Sequence, residues 1–362
     1  ALVVFLVAQP LSVLAVNVSP NGTFESFTAY LVNGTLQKWN NFAEYRAQSW
    51  NLLETEGSGG LHFMDSYTLG QSIAPAYGLT IPNHRIEGNR SQGFGSQSSF
   101  SFVMSQTVAV QNGADYALGG KIVTYWKGPG GEVNHAAMFK RIGIDPTGGR
   151  SPDGAGVVWT DWDGTDDAWL SPALAVTARG AQATVFIQVE NRSPEVISGS
   201  LNLGYLDGFR FERAPVATLN LPEQADPGIV TVSWSATLPD ATFWALQGFD
   251  VEYRVGDGEW QTLQRADSAG GLAQTFALTA AAGQTYHLRV RAWQQRKPGG
   301  DPSVPALPGV WVEKQVQISG DGEGGSAPSR HAVFLPVVRL APPPPPPPGP
   351  NPTPDPGPNP TP

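Results

Sequence analysis

Between Val157 and Trp169 the chain reads VVWTDWDGTDDAW, which sets Trp159, Trp162 and Trp169 among Asp161, Asp163, Asp166 and Asp167. Three chemistries use residues of these types. A catalytic carboxylate pair needs two acids about 5 to 9 Å apart across a sugar, one of them in surroundings that keep its proton. Asp161 and Asp163 alternate along an extended segment, so both would leave on one side at a spacing of roughly 7 Å. Aspartates beside Gly164 and Thr165 are also ordinary turn formers. The five histidines, at 62, 84, 135, 287 and 331, are scattered and build no protease, esterase or phosphate-loop motif, so no catalysis is expected. A calcium loop needs alternating oxygen ligands, then glycine, then a distant closing glutamate. Here Trp162 fills an alternate position, Gly164 follows Asp163 directly, and no glutamate closes the cage. A binding face asks for less. The indoles of Trp159, Trp162 and Trp169 offer flat apolar area for the C–H face of a sugar ring, and Asp161 and Asp163 offer acceptors for its hydroxyls. Tyr125 and Trp126, at the end of another strand-like run, would extend that platform. The expected ligand site is therefore these seven residues.

Composition narrows the partners. Charged residues make up 15% of the 362 and the formal net charge is -9, which leaves no field to attract nucleic acid or an anionic membrane. There are no cysteines, so disulfides, thiolate chemistry and sulfur-ligated zinc are excluded. The opening ALVVFLVAQPLSVLAV is apolar but shorter than the roughly 20 residues of a membrane span. Residues 1–16 read as the remnant of a signal peptide cleaved after Ala15, which implies an extracellular or cell-surface protein.

The elements that must hold the aromatic loop are strands. From residue 17 to 318, glycines and prolines punctuate short runs such as SFSFVMSQTVAV, YALGGKIVTYW, QATVFIQVE and VTVSWSA, which alternate apolar and polar residues with a period of two. Many such strands at close spacing predict an all-β protein of antiparallel sandwiches. Only FAEYRAQSWNLL, 42–53, has a pattern compatible with a helix.

Two family resemblances organise the chain. SPNGTFESF, SQTVAVQNGADYALGGKIVTYW and LGYLDGFRFE, within 17–213, resemble in that order the jelly-roll carbohydrate-binding modules of the galactose-binding-like type. The resemblance implies a structural calcium where first and last strands meet, with Glu25 and Asp207 at the matching positions. The segment RIGIDPTGGRSPDGAGVVWTDWDG is similar to one recurring in secreted multi-module proteins of Chloroflexi-type bacteria. Residues 216–318 resemble a fibronectin type III domain: Trp234 fits its buried strand-B tryptophan, Tyr253 and Trp260 fit the next strands, and Tyr286 with Leu288, Val290 and Ala292 fits its strand-F signature. Such a tyrosine buries its ring while its hydroxyl reaches backbone across the corner. Trp244 and Trp293 are expected to pack in the core or at the rim.

Residues 319–341 read as a Gly/Ser-rich linker with a short apolar segment. Residues 342–362 read as a polyproline spacer, extending about 3.1 Å per residue. The whole predicts a secreted, non-catalytic multi-module protein: a glycan-binding or adhesive jelly roll, a fibronectin type III spacer, and a tail. Its partner would be a polysaccharide or surface glycan, or another envelope protein. Two other classes fit the same residues. One is an accessory region of a secreted polysaccharide hydrolase or peptidase whose catalytic module lies elsewhere. The other is a self-associating structural subunit of an envelope, sheath or filament.

Overall fold

A computed structural model describes residues 19–39, 41–57, 61–77, 84–127, 137–192, 201–266, 271–297 and 304–320. The leader expected at 1–16, the tail at 342–362 and all but the first residues of the 319–341 linker lie outside the described residues.

The chain is all-β, as its alternation predicts. Six short strands open it: β1 (Phe27–Ala29), β2 (Leu31–Val32), β3 (Thr35–Leu36), β4 (Lys38–Trp39), β5 (Phe42–Ala43) and β6 (Tyr45–Ala47). They pair as β1 with β6, β2 with β3 and β4 with β5. The helix expected over 42–53 does not form. Its backbone groups are taken by residues further back in the chain: Tyr30 N–H donates to Glu44 O and Glu44 N–H donates to Gln37 O, each at 3.0 Å. Buried Glu44 then accepts from Phe63 N–H at 3.1 Å. Pairing partners brought by the fold outweigh a weak local preference.

Ten strands form the first sandwich: β7 (Asn51–Gly57), β8 (His62–Asp65), β9 (Gln92–Ser96), β10 (Phe100–Ala109), β11 (Asp115–Lys127), β12 (Met138–Asp145), β13 (Val158–Trp159), β14 (Ala173–Thr177), β15 (Gln182–Asn191) and β16 (Leu201–Arg213). One sheet has the order β13-β12-β15-β10-β7 and the other β14-β11-β16-β9-β8. Their facing residues build one core: Phe102, Met104, Ile142, Val185 and Ile187 from the first, Phe94, Leu118, Ile122, Phe209 and Phe211 from the second. The outer face of the second sheet is covered too. Asp65 caps a short helical stretch from Ser66 to Tyr77, accepting from Tyr67 and Thr68 N–H at 3.1 Å. Leu69, Ile73 and Ala74 of that stretch join Trp39, Met64, Val123, Leu203 and Tyr205 in a separate apolar cluster.

The second sandwich sets β17 (Val216–Asn220), β19 (Gly228–Thr237) and β22 (Ala273–Ala280) against β20 (Trp244–Val255), β21 (Gln261–Gln264), β23 (Thr285–Arg296) and β25 (Val312–Ile318). Two-residue strands β18 (Gln224–Ala225) and β24 (Leu307–Pro308) pair with β25 and β23. Trp234, Tyr253, Tyr286, Leu288, Val290 and Ala292 all lie in its core. Each sandwich uses a tyrosine to stitch a corner: Tyr286 Oη accepts from Ala281 N–H, and Tyr116 Oη accepts from Gln111 N–H, both at 3.0 Å.

The two sandwiches touch. Ala117, Ala175 and Ala214 of the first side cluster with buried Trp244, Val304 and Leu307 of the second. Trp244 Nε1–H donates to Glu212 Oε2 at 2.9 Å, and Gln294 Nε2–H donates to Arg213 O at 3.0 Å. Trp244 is thus core, but the core of the junction.

Candidate functional site

The aromatic loop straddles one edge of the first sandwich. It leaves the first sheet at β13, is held to β12 by Asp163 N–H donating to Lys140 O and Lys140 N–H donating to Asp163 O, both at 3.0 Å, and reaches the second sheet where Leu170 pairs with Ile122. The three tryptophans therefore do not share a face. Trp159 and Trp162 lie with the first sheet. Trp169 packs beside Tyr125 against the apolar cluster outside the second. Trp126, on the opposite side of β11 from Tyr125, is buried in the main core, where it offers no ring to a ligand. Burial, then Asp167 nearby, pushes the Tyr125 hydroxyl up to about 12, so it stays a neutral donor.

Residues not expected to matter decide how the tryptophans are presented. Gly143 pairs with Trp159 across β12 and β13; a Cβ there would come within 2.6 Å of the indole, so only glycine lets the ring lie flat on the strand. Arg141 sits 4.2 Å from the ring centres of both Trp159 and Trp162. Arg192 stands 4.5 Å from Trp162 and 4.1 Å from Phe139. Cation–π contact of this kind fixes ring orientation. It also occupies stacking area on Trp162 that the loop sequence alone would leave to a sugar. Arg141 and Arg192 are aligned by Gln188 Oε1 and Glu190 Oε2, each accepting at 2.8 Å.

Behind the loop, Asp166 turns inward. Its carboxylate and the Lys140 ammonium, both buried between the sheets, are 3.4 Å apart. Thr124 bridges them. Asp161 is exposed, and Asp163 Oδ1 accepts from Thr165 N–H at 2.7 Å, a turn-forming role. Asp161 and Asp163 line a small cavity of about 290 Å³ beside Lys140, Ser171 and Pro172.

A larger groove of about 450 Å³ opens where the two sandwiches meet. Trp159, Thr160 and Asp161 line it from one side, Arg291 and Trp311 from the other. Trp311 belongs to a second arginine–tryptophan ladder: Arg289 lies 4.2 Å from Trp260 and 4.6 Å from Trp311, and Arg291 lies 4.6 Å from Trp311 and 5.0 Å from Trp293. Asp250 and Glu252 hold those arginines through charge-assisted contacts. The partial burial of Trp159 and Trp311 leaves indole area in the groove.

Glu25 and Asp207 do converge, on the segment 86–90. Asp207 Oδ2 accepts from Ile86 N–H at 2.6 Å and Glu87 N–H at 2.9 Å, and its Oδ1 from Gly208 N–H at 2.7 Å. Glu25 Oε1 accepts from Asn89 and Arg90 N–H at 2.9 and 3.2 Å. Gly88, at φ +64°, leaves room for Glu25, whose Oε1 would lie 2.0 Å from a Cβ. Donors around these oxygens suit an anion, so a cation would have to displace amide protons from both carboxylates. Among the described residues no group of three acidic or histidine side chains is placed to hold a metal. Burial, opposed by the three N–H donors, pushes Asp207 up to about 7.

No protein-family model matches the chain, and no curated protein matches it. Solved structures do. TmCBM61 in complex with beta-1,4-galactotriose matches at 16% identity and TM-score 0.32, over 55% of this chain and 99% of that one. The CBM22-1 xylan-binding domain of Paenibacillus barcinonensis Xyn10C matches at 13% identity and TM-score 0.25, over 46% and 86%. A beta-1,2-glucanase from Parabacteroides distasonis matches at 10% identity and TM-score 0.26, over 76% and 37%. Binding modules and an enzyme thus score alike, and at such scores the likenesses decide neither ligand nor activity.

Proposed function

We propose that this chain is a non-catalytic, secreted glycan-binding protein whose ligand lies in the groove between a carbohydrate-binding-module-type jelly roll and a fibronectin type III-like domain. One observation carries the reading: Trp159 and Trp311, from different sandwiches, line the same open groove together with Asp161, Thr160 and Arg291. Half-buried indoles supply apolar area for the faces of sugar rings, and the polar groups beside them supply hydroxyl acceptors and donors. The second domain is then a wall of the site as well as a spacer. Trp162 and Trp169 act from outside the groove, the former by holding Arg141 against Trp159.

A glycan array probed with the full chain, followed by calorimetric titration of the best polysaccharide, tests this. Trp159→Ala and Trp311→Ala are each expected to weaken binding about tenfold or more, equivalent to roughly 1.4 kcal/mol, with far-UV spectra unchanged. An array without hits, or binding indifferent to both substitutions, overturns it. Because the ligand needs no acid–base pair, hydrolysis of the bound polysaccharide would favour an enzyme instead.

A further inference from the structure

Lys140 points from β12 into the space between the sheets, on the side of the strand that also carries Met138, Ile142 and Ile144 into the core. Its side chain and that of Asp166 are 1% and 0% exposed. Attraction between two charges sealed this far from water recovers little beyond the cost of stripping both of solvent. Burial is the larger influence on each partner: it lowers the Lys140 pKa and raises that of Asp166. Both shifts move the pair from ammonium and carboxylate toward amine and carboxylic acid.

The surroundings hold the ammonium and the carboxylate together and link them by a path for a proton. Lys140 Nζ donates to Thr124 Oγ1 at 2.5 Å, and Thr124 Oγ1–H donates to Asp166 Oδ1 at 2.5 Å, so one hydroxyl touches both groups. Met138 O, at 3.2 Å, and Thr165 O also accept from Nζ and orient it. Asp166 Oδ2 is buried without a hydrogen-bond partner.

We propose that Lys140 and Asp166 condense to form an intramolecular isopeptide bond that ties β12 to the aromatic loop. One ammonium proton first passes to Asp166 Oδ1 through the Thr124 hydroxyl; the neutral amine so formed attacks Cγ of the protonated carboxyl, forming the Nζ–Cγ bond. One amine proton passes to Thr124 Oγ1, and the Thr124 hydroxyl proton passes to Oδ1. The Cγ–Oδ1 bond breaks and Oδ1, carrying the acid's own proton and that from Thr124, leaves as water. Oδ2 remains as the amide carbonyl and Nζ keeps one hydrogen. Amine plus acid gives amide plus water, with no oxidant or cofactor. A cavity lined by Asp161 and Asp163 lies beside Lys140. The cross-link fastens the loop to the first sheet at the sandwich edge, in a chain whose 0 cysteines exclude a disulfide there.

Mass spectrometry of the purified full chain tests the bond. The expected result is a mass one water below that of the sequence, with a branched tryptic peptide uniting the segments that hold Lys140 and Asp166; Lys140→Arg restores the full mass. Separate, unmodified peptides from the wild-type chain overturn the proposal. So does a water loss that persists in Lys140→Arg, since cyclisation at an Asp–Gly step such as Asp163–Gly164 loses water without joining peptides. The wild-type peptide map decides the matter even where a variant fails to fold.

Discussion

At the scale of single residues, Asp207 gives the clearest pH signature. Its carboxyl holds a proton up to about 7 in the folded chain, whereas an unfolded chain releases it near the ordinary value of about 3.9. Between those values the folded state binds more protons, so this group adds stability as pH falls through neutral, an effect complete below about 4 and lost as pH rises through about 7. Urea midpoints measured from pH 8 to pH 4, on the wild type and Asp207→Asn, are expected to show that slope in the difference between the two. The same residue addresses calcium. With Asp207 and Glu25 engaged by amide protons, melting temperatures with calcium and with chelator are expected to coincide. A rise on adding calcium would mean that the 86–90 segment rearranges into a cage of oxygens.

At the scale of elements, β12 matters more than the loop it supports. Gly143 lets Trp159 lie on the strand, Arg141 clamps two indoles, and Lys140 reaches behind them to Asp166. Gly143→Ala is expected to cost about 1 to 3 kcal/mol, the usual range for forcing extra volume into a packed site. Denaturant unfolding would read that cost. The same substitution should weaken glycan binding by moving Trp159, which separates the strand's contribution from the general stability of the sandwich. The corner tyrosines are a second device: Tyr286→Phe leaves Ala281 N–H without its acceptor, and a loss of about 1 kcal/mol is expected.

For the molecule as a whole, the junction is the decisive feature. Trp244 is 1% exposed and bonded to Glu212, and Leu307 and Val304 pack beside it. The two sandwiches are therefore expected to melt in a single calorimetric transition. Trp244→Ala, costing about 3 to 5 kcal/mol in a core setting, should split it in two and, by widening the groove, lower affinity for any ligand held between Trp159 and Trp311. Two unchanged transitions in the wild type would mean that the contact is too weak to couple them.

Much of this was readable from residue order alone. A period of two in runs such as FSFVMSQTVA and QATVFIQVE specifies strands, because successive side chains point to opposite sides; the fold then buries both faces over the middle of each, from Phe102 to Gln106 and from Ala183 to Ile187. The partners of a strand were not readable. FAEYRAQSWNLL looked helical because its local pattern carries no record of Gln37 and Tyr30, which claim its backbone. Nor could spacing show that Trp162 and Trp169 fall on opposite sides of a sandwich, since that depends on where the loop crosses an edge. Trp311 gave no signal at all beside ten other tryptophans; only the approach of two separately folded sheets brings it to Trp159. Sequence determined which faces are apolar, a property of each strand by itself, and the tertiary structure decided which aromatic rings meet, a property of contacts between segments far apart in the chain.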